Sequence, residues 1–324
     1  MDLEKIASPI RSELEAFEAA FTALLHSDVP LVEHVVRYIA SHKGKRLRPI
    51  LVFLCARLFG KANQRTISAA LIVEMLHTAT LVHDDVVDES DLRRGSPTVN
   101  NLWNNKVSVL VGDFIFSKTL SSMVKLGDLD ALAILSCTAE KITEGELLQI
   151  ERDHDFEMNE TIYFDLVSKK TASLFSAACE LGVLTVRNDA QERAKLRNFG
   201  HALGIAFQIR DDLLDYTGDS VRLGKPTAND IRENKVTLPL IFSLGAADAK
   251  ARAHIINLFE TGVQEEQEIR AVIEFVRDLG GVEYSHNMAR RYAQRALHEL
   301  NGFSENGSAA SLRTLVNFAI QRDS

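Results

Sequence analysis

Apolar residues recur along this chain at intervals of three and four, the spacing that collects them on one face of an α-helix. Leu31, Val35, Val36 and Ile39 form one stripe. Leu71, Met75, Leu76 and Leu81 form another, inside a segment running from about 63 to 87. Further helices are predicted over about 49–59, 107–126, 129–152, 160–182, 189–217, 235–246, 264–279, 283–300 and 308–320. No stretch alternates convincingly with the period of two that marks a half-buried strand, and no hairpin signal joins two such stretches. The pattern predicts an all-α fold. Segments 66–87 and 107–123 are apolar on most sides, which predicts places in the middle of a bundle.

Composition adds the organisation. Only 6 prolines occur, and no Gly/Ser/Pro-rich linker divides the chain, so residues 1–324 are read as one large domain. The richest zone of helix breakers, 218–234, reads as a loop beside a functional site. The net charge of −8 argues against non-specific nucleic-acid binding, which needs a basic face. It leaves room for a few cations gathered in one pocket. Cys55, Cys137 and Cys179 are odd in number and show no CxxC spacing, so reduced, buried thiols in a cytoplasmic protein are expected. Residues 1–14 lack the apolar core of a signal peptide, and no apolar run reaches the ~18 residues of a membrane span.

Two acidic clusters carry the chemistry. In His83-Asp84-Asp85-Val86-Val87-Asp88, Asp84 and Asp88 stand at i and i+4 and share a helix face. Like charges at that spacing repel, and the apolar residues around them do not suit a solvated face. Divalent cations would neutralise them, and Mg²⁺ prefers oxygen ligands completed by substrate phosphates. Asp211-Asp212-Leu213-Leu214-Asp215 repeats the spacing in another apolar helix. One such cluster is common on ordinary helices; two point to a shared metal site. Glu74 and His77 have the Glu-x-x-His spacing of di-iron bundles, but no second copy exists, so that match reads as coincidence.

Cations accompany the clusters. Gly44-Lys45-Arg46-Leu47-Arg48-Pro49 is a basic loop before an apolar helix. Arg93-Arg94-Gly95 follows the first cluster, where Glu89 and Asp91 offer ordinary ion-pair partners. Lys169-Lys170-Thr171 lies in a third helix, and His77 stands two turns before Asp84. Taken singly, each reads as a solvated turn, a surface pair or a core histidine.

Taken together, the ordered set GKRLRP, HTATLVHDDVVDES, RRG, KKTASLF, FQIRDDLLD and NKVTLPL resembles the trans-polyprenyl diphosphate synthases, from about residue 30 to the C-terminus. The resemblance implies a single antiparallel helical bundle around a deep central cavity, and a homodimer. It implies Mg²⁺ held by Asp84, Asp85 and Asp88 and by Asp211, Asp212 and Asp215, three ions with substrate bound. Among these, Asp84, Asp88 and Asp211 are the expected direct ligands. It places Lys45, Arg48, His77 and Arg94 around isopentenyl diphosphate. Arg93, Lys170 and Lys225 fall on the allylic diphosphate, Thr171 and Gln208 beside the reacting allylic carbon, and Lys235 at a further diphosphate contact. Ala228 and Asn234 stand where many relatives have glycine, in the breaker-rich loop.

The implied reaction is ionisation of the allylic diphosphate, attack by the double bond of isopentenyl diphosphate, and proton loss to the departing pyrophosphate. Short-chain relatives often carry an aromatic residue one turn before the first aspartate. Ala79 and Thr80 are small, which implies an open tunnel and a hexaprenyl to decaprenyl product, octaprenyl at the centre, for quinone side chains. Release of such a product implies a transient membrane contact. Phe114, Phe116 or Met123 could close the tunnel, or be ordinary core. Three alternatives remain: a short-chain synthase, a terpene cyclase, and a non-catalytic subunit of a heteromeric synthase. The cyclase usually carries Asn, Ser/Thr and Glu in the second motif, and the non-catalytic subunit generally loses aspartates from one cluster.

Overall fold

A computed structural model describes residues 3–42, 44–93, 95–152, 156–217, 228–263 and 265–321. The long helices in chain order are α1 (Arg11–Leu24), α2 (Pro30–Ser41), α3 (Leu47–Arg57), α4 (Gln64–Val87), α5 (Asn105–Leu126) and α6 (Leu129–Arg152). They continue as α7 (Glu160–Val167), a π-helical turn Ser168–Ala172, α8 (Ser173–Leu184), α9 (Ala190–Thr217), α10 (Leu238–Ala246), α11 (Ala249–Thr261), α12 (Glu266–Asp278), α13 (Gly281–Glu299) and α14 (Gly307–Gln321). The fold is an all-α bundle.

Local chemistry sets the boundaries. Asn63 opens α4 with a capping box: its side chain accepts from the Arg65 and Thr66 amides, and Thr66 bonds back to the Asn63 amide. Asn104 caps α5 by accepting from Val107, and Gly127 ends it in the left-handed conformation at φ 66°. Helix α4 buries Ala69 to Met75 without a break, so it runs through the core. Two apolar clusters fill the molecule, and α9 belongs to both. Leu196, Phe199 and Leu203 enter the cluster around α3, α4 and α8. Ile205, Ile209 and Leu213 enter the one around α10 to α12.

Several expectations need correction. Helix α11 was not foreseen, because only Ile255 and Phe259 are buried along it and two positions make a thin stripe. The same holds for α1, which buries Phe17 and Phe21. A minimal hairpin pairs Leu92–Arg93 with Ser96–Pro97, turning at Gly95 with φ 78°. Two residues per strand are too few to show alternation. Helix α5 is buried on one side only: Val109, Leu110, Leu120 and Val124 face out along the other. Cys55 and Cys179 are buried, whereas Cys137 is exposed on α6. By length and composition, α4 and α5 could each cross a membrane, against the sequence reading. The most apolar stretch of α4 is 67% buried inside the protein, as a core helix must be, while that of α5 is 33% buried.

Candidate active site

A cavity of about 770 Å³ lies between α3, α4, α6, the π-helical turn, α8 and α9. Helix α4 presents His77, Thr80, Leu81, Asp84 and Asp88 to it. These positions repeat at three, four and seven residues, one face of a helix. Asp211 of α9 lines the same space, so the two acidic clusters meet across one cavity.

Not every aspartate of the clusters faces it. Asp85 is buried toward a neighbouring cavity and accepts a 2.6 Å hydrogen bond from Arg93 Nε. It therefore anchors Arg93, which itself lines the larger cavity. Asp212 is buried behind the wall: Tyr163 donates to its Oδ2 at 2.5 Å and Gln208 Nε2 to its Oδ1 at 2.8 Å. Asp215 accepts from the backbone amide of Asp230 at 2.6 Å. Asp84, Asp88 and Asp211 are left as the aspartates on the cavity.

The electrostatics suit a divalent cation. Burial, reinforced by the Glu146 carboxylate, pushes Asp84 up to about 7 against the pull of Lys170 and Arg93. Unbalanced negative charge on buried oxygens is the condition that a hard cation relieves. Among the described residues, no three His, Cys, Asp or Glu side chains form a metal cage by themselves. Phosphate oxygens would have to complete the shell, as Mg²⁺ sites commonly require.

The cations are held in place by neighbours. Lys45 and Arg48 line the cavity from the basic loop, with Lys45 Nζ 6.0 Å from the Phe318 ring centroid and the Arg48 guanidinium 4.9 Å from that of Phe175. Between them, Arg46, also on the cavity wall, pairs with Glu18 and Glu74. Glu74 is thus an ion-pair partner, which accounts for it without a metal. Lys170 donates to Glu146 Oε2 at 2.7 Å and Gln149 Oε1 at 2.9 Å. Thr171 donates to Gln208 Oε1 at 2.8 Å. Lys235 stands 3.9 Å from Asp88 and 2.6 Å from Glu233. Burial opposes its charge, but Asp230 and Asp88 outweigh that and hold its pKa above the ordinary lysine value. Arg94 and Lys225 lie outside the described residues.

The π-helical turn carries Lys170 and Thr171 because its neighbours are glycines. A Cβ on Gly145 of α6 would stand 2.9 Å from the Lys170 amide nitrogen, and one on Gly204 of α9 would stand 2.6 Å from the Ala172 Cα. The turn is pinched between two bare helix surfaces. Sequence reasoning missed Glu146, Gln149 and Tyr163. The 129–152 helix carries Glu140, Lys141, Glu144 and Glu151 as well, so no signal in the sequence singled out the first two.

Leu47, Leu81, Ile142, Leu174 and Phe207 supply the apolar part of the cavity lining. Phe114, Phe116 and Met123 do not border the cavity and pack in the apolar cluster around α3, α4 and α8. Thr80 faces in, while Ala79 is turned into the core.

Comparison with known proteins accords with this geometry. Residues 29–276 match the family model of polyprenyl synthetases. The chain is 36% identical over 323 residues to the octaprenyl diphosphate synthase of Escherichia coli (strain K12), covering 100% of both. It is 38% identical over 320 residues to an all-trans-nonaprenyl-diphosphate synthase (geranyl-diphosphate specific) of Rhodobacter capsulatus, covering 98% of both. A solved polyprenyl synthase from Caulobacter crescentus CB15, complexed with calcium and isoprenyl diphosphate, matches with a TM-score of 0.94 at 34% identity, over 100% of this chain and 98% of that one. With full-length relatives on one side and two acidic clusters facing a ring of cations on the other, the chain belongs to the polyprenyl synthetase family of prenyltransferases.

Proposed function

We propose that this chain adds isopentenyl diphosphate units head to tail onto an allylic diphosphate, with Mg²⁺, to give a long-chain product of hexaprenyl to decaprenyl length. The observation that carries this reading is the convergence of Asp84, Asp88 and Asp211 with Lys45, Arg48, His77, Arg93 and Lys170 on one cavity that Ile142, Leu174 and Phe207 also border. When bound, divalent ions supply Lewis-acid stabilisation of the leaving diphosphate.

The chain's own residues do the rest. Lys170, fixed by Glu146 and Gln149, supplies a positive charge that need not reorganise as the C–O bond breaks. Lys45, Arg48 and His77 orient isopentenyl diphosphate so that its double bond meets the allylic carbon. Thr171 and Gln208 offer oxygen atoms beside that carbon. Ile142, Leu174 and Phe207 keep water from the cation. The pyrophosphate released in the same step takes the proton.

Three further parts of the reading have their own support. Long product is favoured by Thr80, a small side chain at the cavity wall one turn before Asp84. A single domain is supported by α9, which packs in both apolar clusters. A homodimer is supported by the outward apolar face of α5 (Val109, Leu110, Leu120, Val124), which a second copy would cover. The decisive experiment incubates the chain with isopentenyl and farnesyl diphosphates and Mg²⁺, then sizes the dephosphorylated products. Thirty to fifty carbons are expected. A stop at fifteen or twenty would defeat the long-chain reading, and a hydrocarbon formed from the allylic substrate alone would favour a cyclase.

A further inference from the structure

Tyr163 has no role in the reaction as proposed so far, yet it is almost wholly buried in α7, eight residues before Thr171. It heads a chain of hydrogen bonds that ends at the reaction cavity. Its hydroxyl donates to Asp212 Oδ2 at 2.5 Å, and Asp212 Oδ1 accepts from Gln208 Nε2 at 2.8 Å. Gln208 Oε1 in turn accepts from the Thr171 hydroxyl at 2.8 Å. Tyr163 and Asp212 border a separate cavity of about 180 Å³. Lys170, Thr171 and Gln208 border both cavities and form the wall between them. Neither Tyr163 nor Asp212 borders the larger cavity, and the side chain that links them to it by hydrogen bonds is Gln208.

A primary amide has an oxygen end and a nitrogen end, and rotating it exchanges an acceptor for two donors. Which end faces the wall depends on what Gln208 meets behind it. The Tyr163 hydroxyl holds Asp212 Oδ2 and so fixes the rotation of the carboxylate, which sets the acceptor Oδ1 against Gln208 Nε2. Facing an acceptor, Gln208 turns its nitrogen inward and its oxygen toward Thr171. Oxygen lone pairs then stand where positive charge develops. The reverse orientation would aim N–H dipoles at a cation, and dipoles fixed in advance are a large part of such stabilisation.

We infer that Tyr163 is a positioning residue for the ionisation step: acting through Asp212, it fixes the Gln208 amide with its oxygen toward the reacting carbon. This rests on the proposed place of Gln208 and Thr171 beside the allylic carbon, and it assigns Asp212 to orientation instead of metal ligation.

The test is a double-mutant cycle read by single-turnover kinetics with farnesyl and isopentenyl diphosphates. Tyr163→Phe keeps the ring and removes only the hydroxyl. It is expected to slow the single turnover on the order of 10-fold to 100-fold, with KM for both substrates unchanged. In a Gln208→Ala background the same change is expected to cost less than about 2-fold, because the amide it orients is gone. An equal loss in both backgrounds, or none in the otherwise unaltered enzyme, overturns the inference. If Gln208→Ala itself leaves the rate intact, the placement of Gln208 fails and the inference with it. If Gln208→Ala is slow while Tyr163→Phe is not, only the inference fails. Should Tyr163→Phe not fold, Asp212→Asn asks the same question, since its amide would present nitrogen to Gln208 and reverse it. That variant is expected to slow turnover without changing the Mg²⁺ concentration needed for half-maximal rate. A shift in that concentration would make Asp212 a metal ligand and overturn the inference.

Discussion

Arg46 Nη1 donates to Glu74 Oε1 at 2.8 Å, tying the basic loop to the helix that carries His77 and Asp84. Arg46 holds a left-handed backbone at φ 53° and also pairs with Glu18 at 2.9 Å, while its guanidinium lies 4.6 Å from the Phe21 ring centroid. A non-glycine residue in that conformation is kept there by its surroundings. Arg46→Met strands a buried Glu74 and frees the loop between Lys45 and Arg48. Breaking a buried pair from one side costs roughly 3–5 kcal/mol. Urea unfolding is expected to show a loss of that order, and the surviving enzyme a raised KM for isopentenyl diphosphate. The double variant Arg46→Met/Glu74→Gln is expected to recover part of the stability and none of the KM.

The carboxyl of Asp84, pushed up to about 7 by burial and then by Glu146, gives metal binding a pH dependence. Its folded value lies above the ordinary 3.8, so the metal-free fold holds a proton that the unfolded chain has lost. Metal-free stability is therefore expected to fall as pH rises from about 3.8 to about 7 and then to level off. A metal ion needs the ionised form, so Mg²⁺ affinity is expected to rise between pH 6 and pH 8, with a proton released on binding at the lower pH. Calorimetry in two buffers of different ionisation enthalpy measures that proton. Asp84→Asn is expected to remove it.

Gly145 lets α6 lie against the π-helical turn. Ala is ordinarily the better helix residue by about 1 kcal/mol. Here its Cβ would meet the Lys170 amide nitrogen, a backbone atom that can only shift as a whole. Gly145→Ala is expected to destabilise by roughly 1–3 kcal/mol and to lower turnover by displacing Lys170 and Thr171. Gly245→Ala, in a helix position with nothing within 4 Å, is the control and is expected to be neutral or stabilising. Thermal melts and steady-state rates of the two variants compare them directly.

Thr80 and Ala79 are adjacent and small but face different ways. Thr80→Phe places a ring in the cavity one turn from Asp84 and is expected to shorten the product. Ala79→Phe drives a ring into a core position that is 1% exposed, so it is expected to destabilise the fold by overpacking. Product sizing and melting temperature separate the two outcomes. A shortened product from Ala79→Phe in a stably folded chain would contradict the packing described.

The outward apolar face of α5 gives a test of assembly. Leu120→Glu with Val124→Glu is expected to convert a dimer to a monomer in sedimentation equilibrium. Both positions are exposed in the single chain, so the monomer's own core is untouched. An unchanged molecular mass would remove α5 as the interface.

Most of the helices and the two acidic clusters were legible from residue order, because helical periodicity and i, i+4 spacing are local properties. Thin stripes were not, which is why α11 with two buried residues escaped notice. The outward face of α5 escaped for a related reason, since apolarity on all sides does not distinguish a core helix from one awaiting a partner.

By itself the sequence determined that two acidic clusters, 84–88 and 211–215, repeat one spacing, and which cations could accompany them. It could not say which way a neighbouring residue turns. Asp85 and Asp212 sit beside the cavity-facing Asp84 and Asp211 in the chain, but one step along a helix is a rotation of about 100°. That rotation sends Asp85 to Arg93 and Asp212 to Tyr163 and Gln208. Arg93 comes from the hairpin and Tyr163 from another helix, and only the packed tertiary structure brings those two into reach.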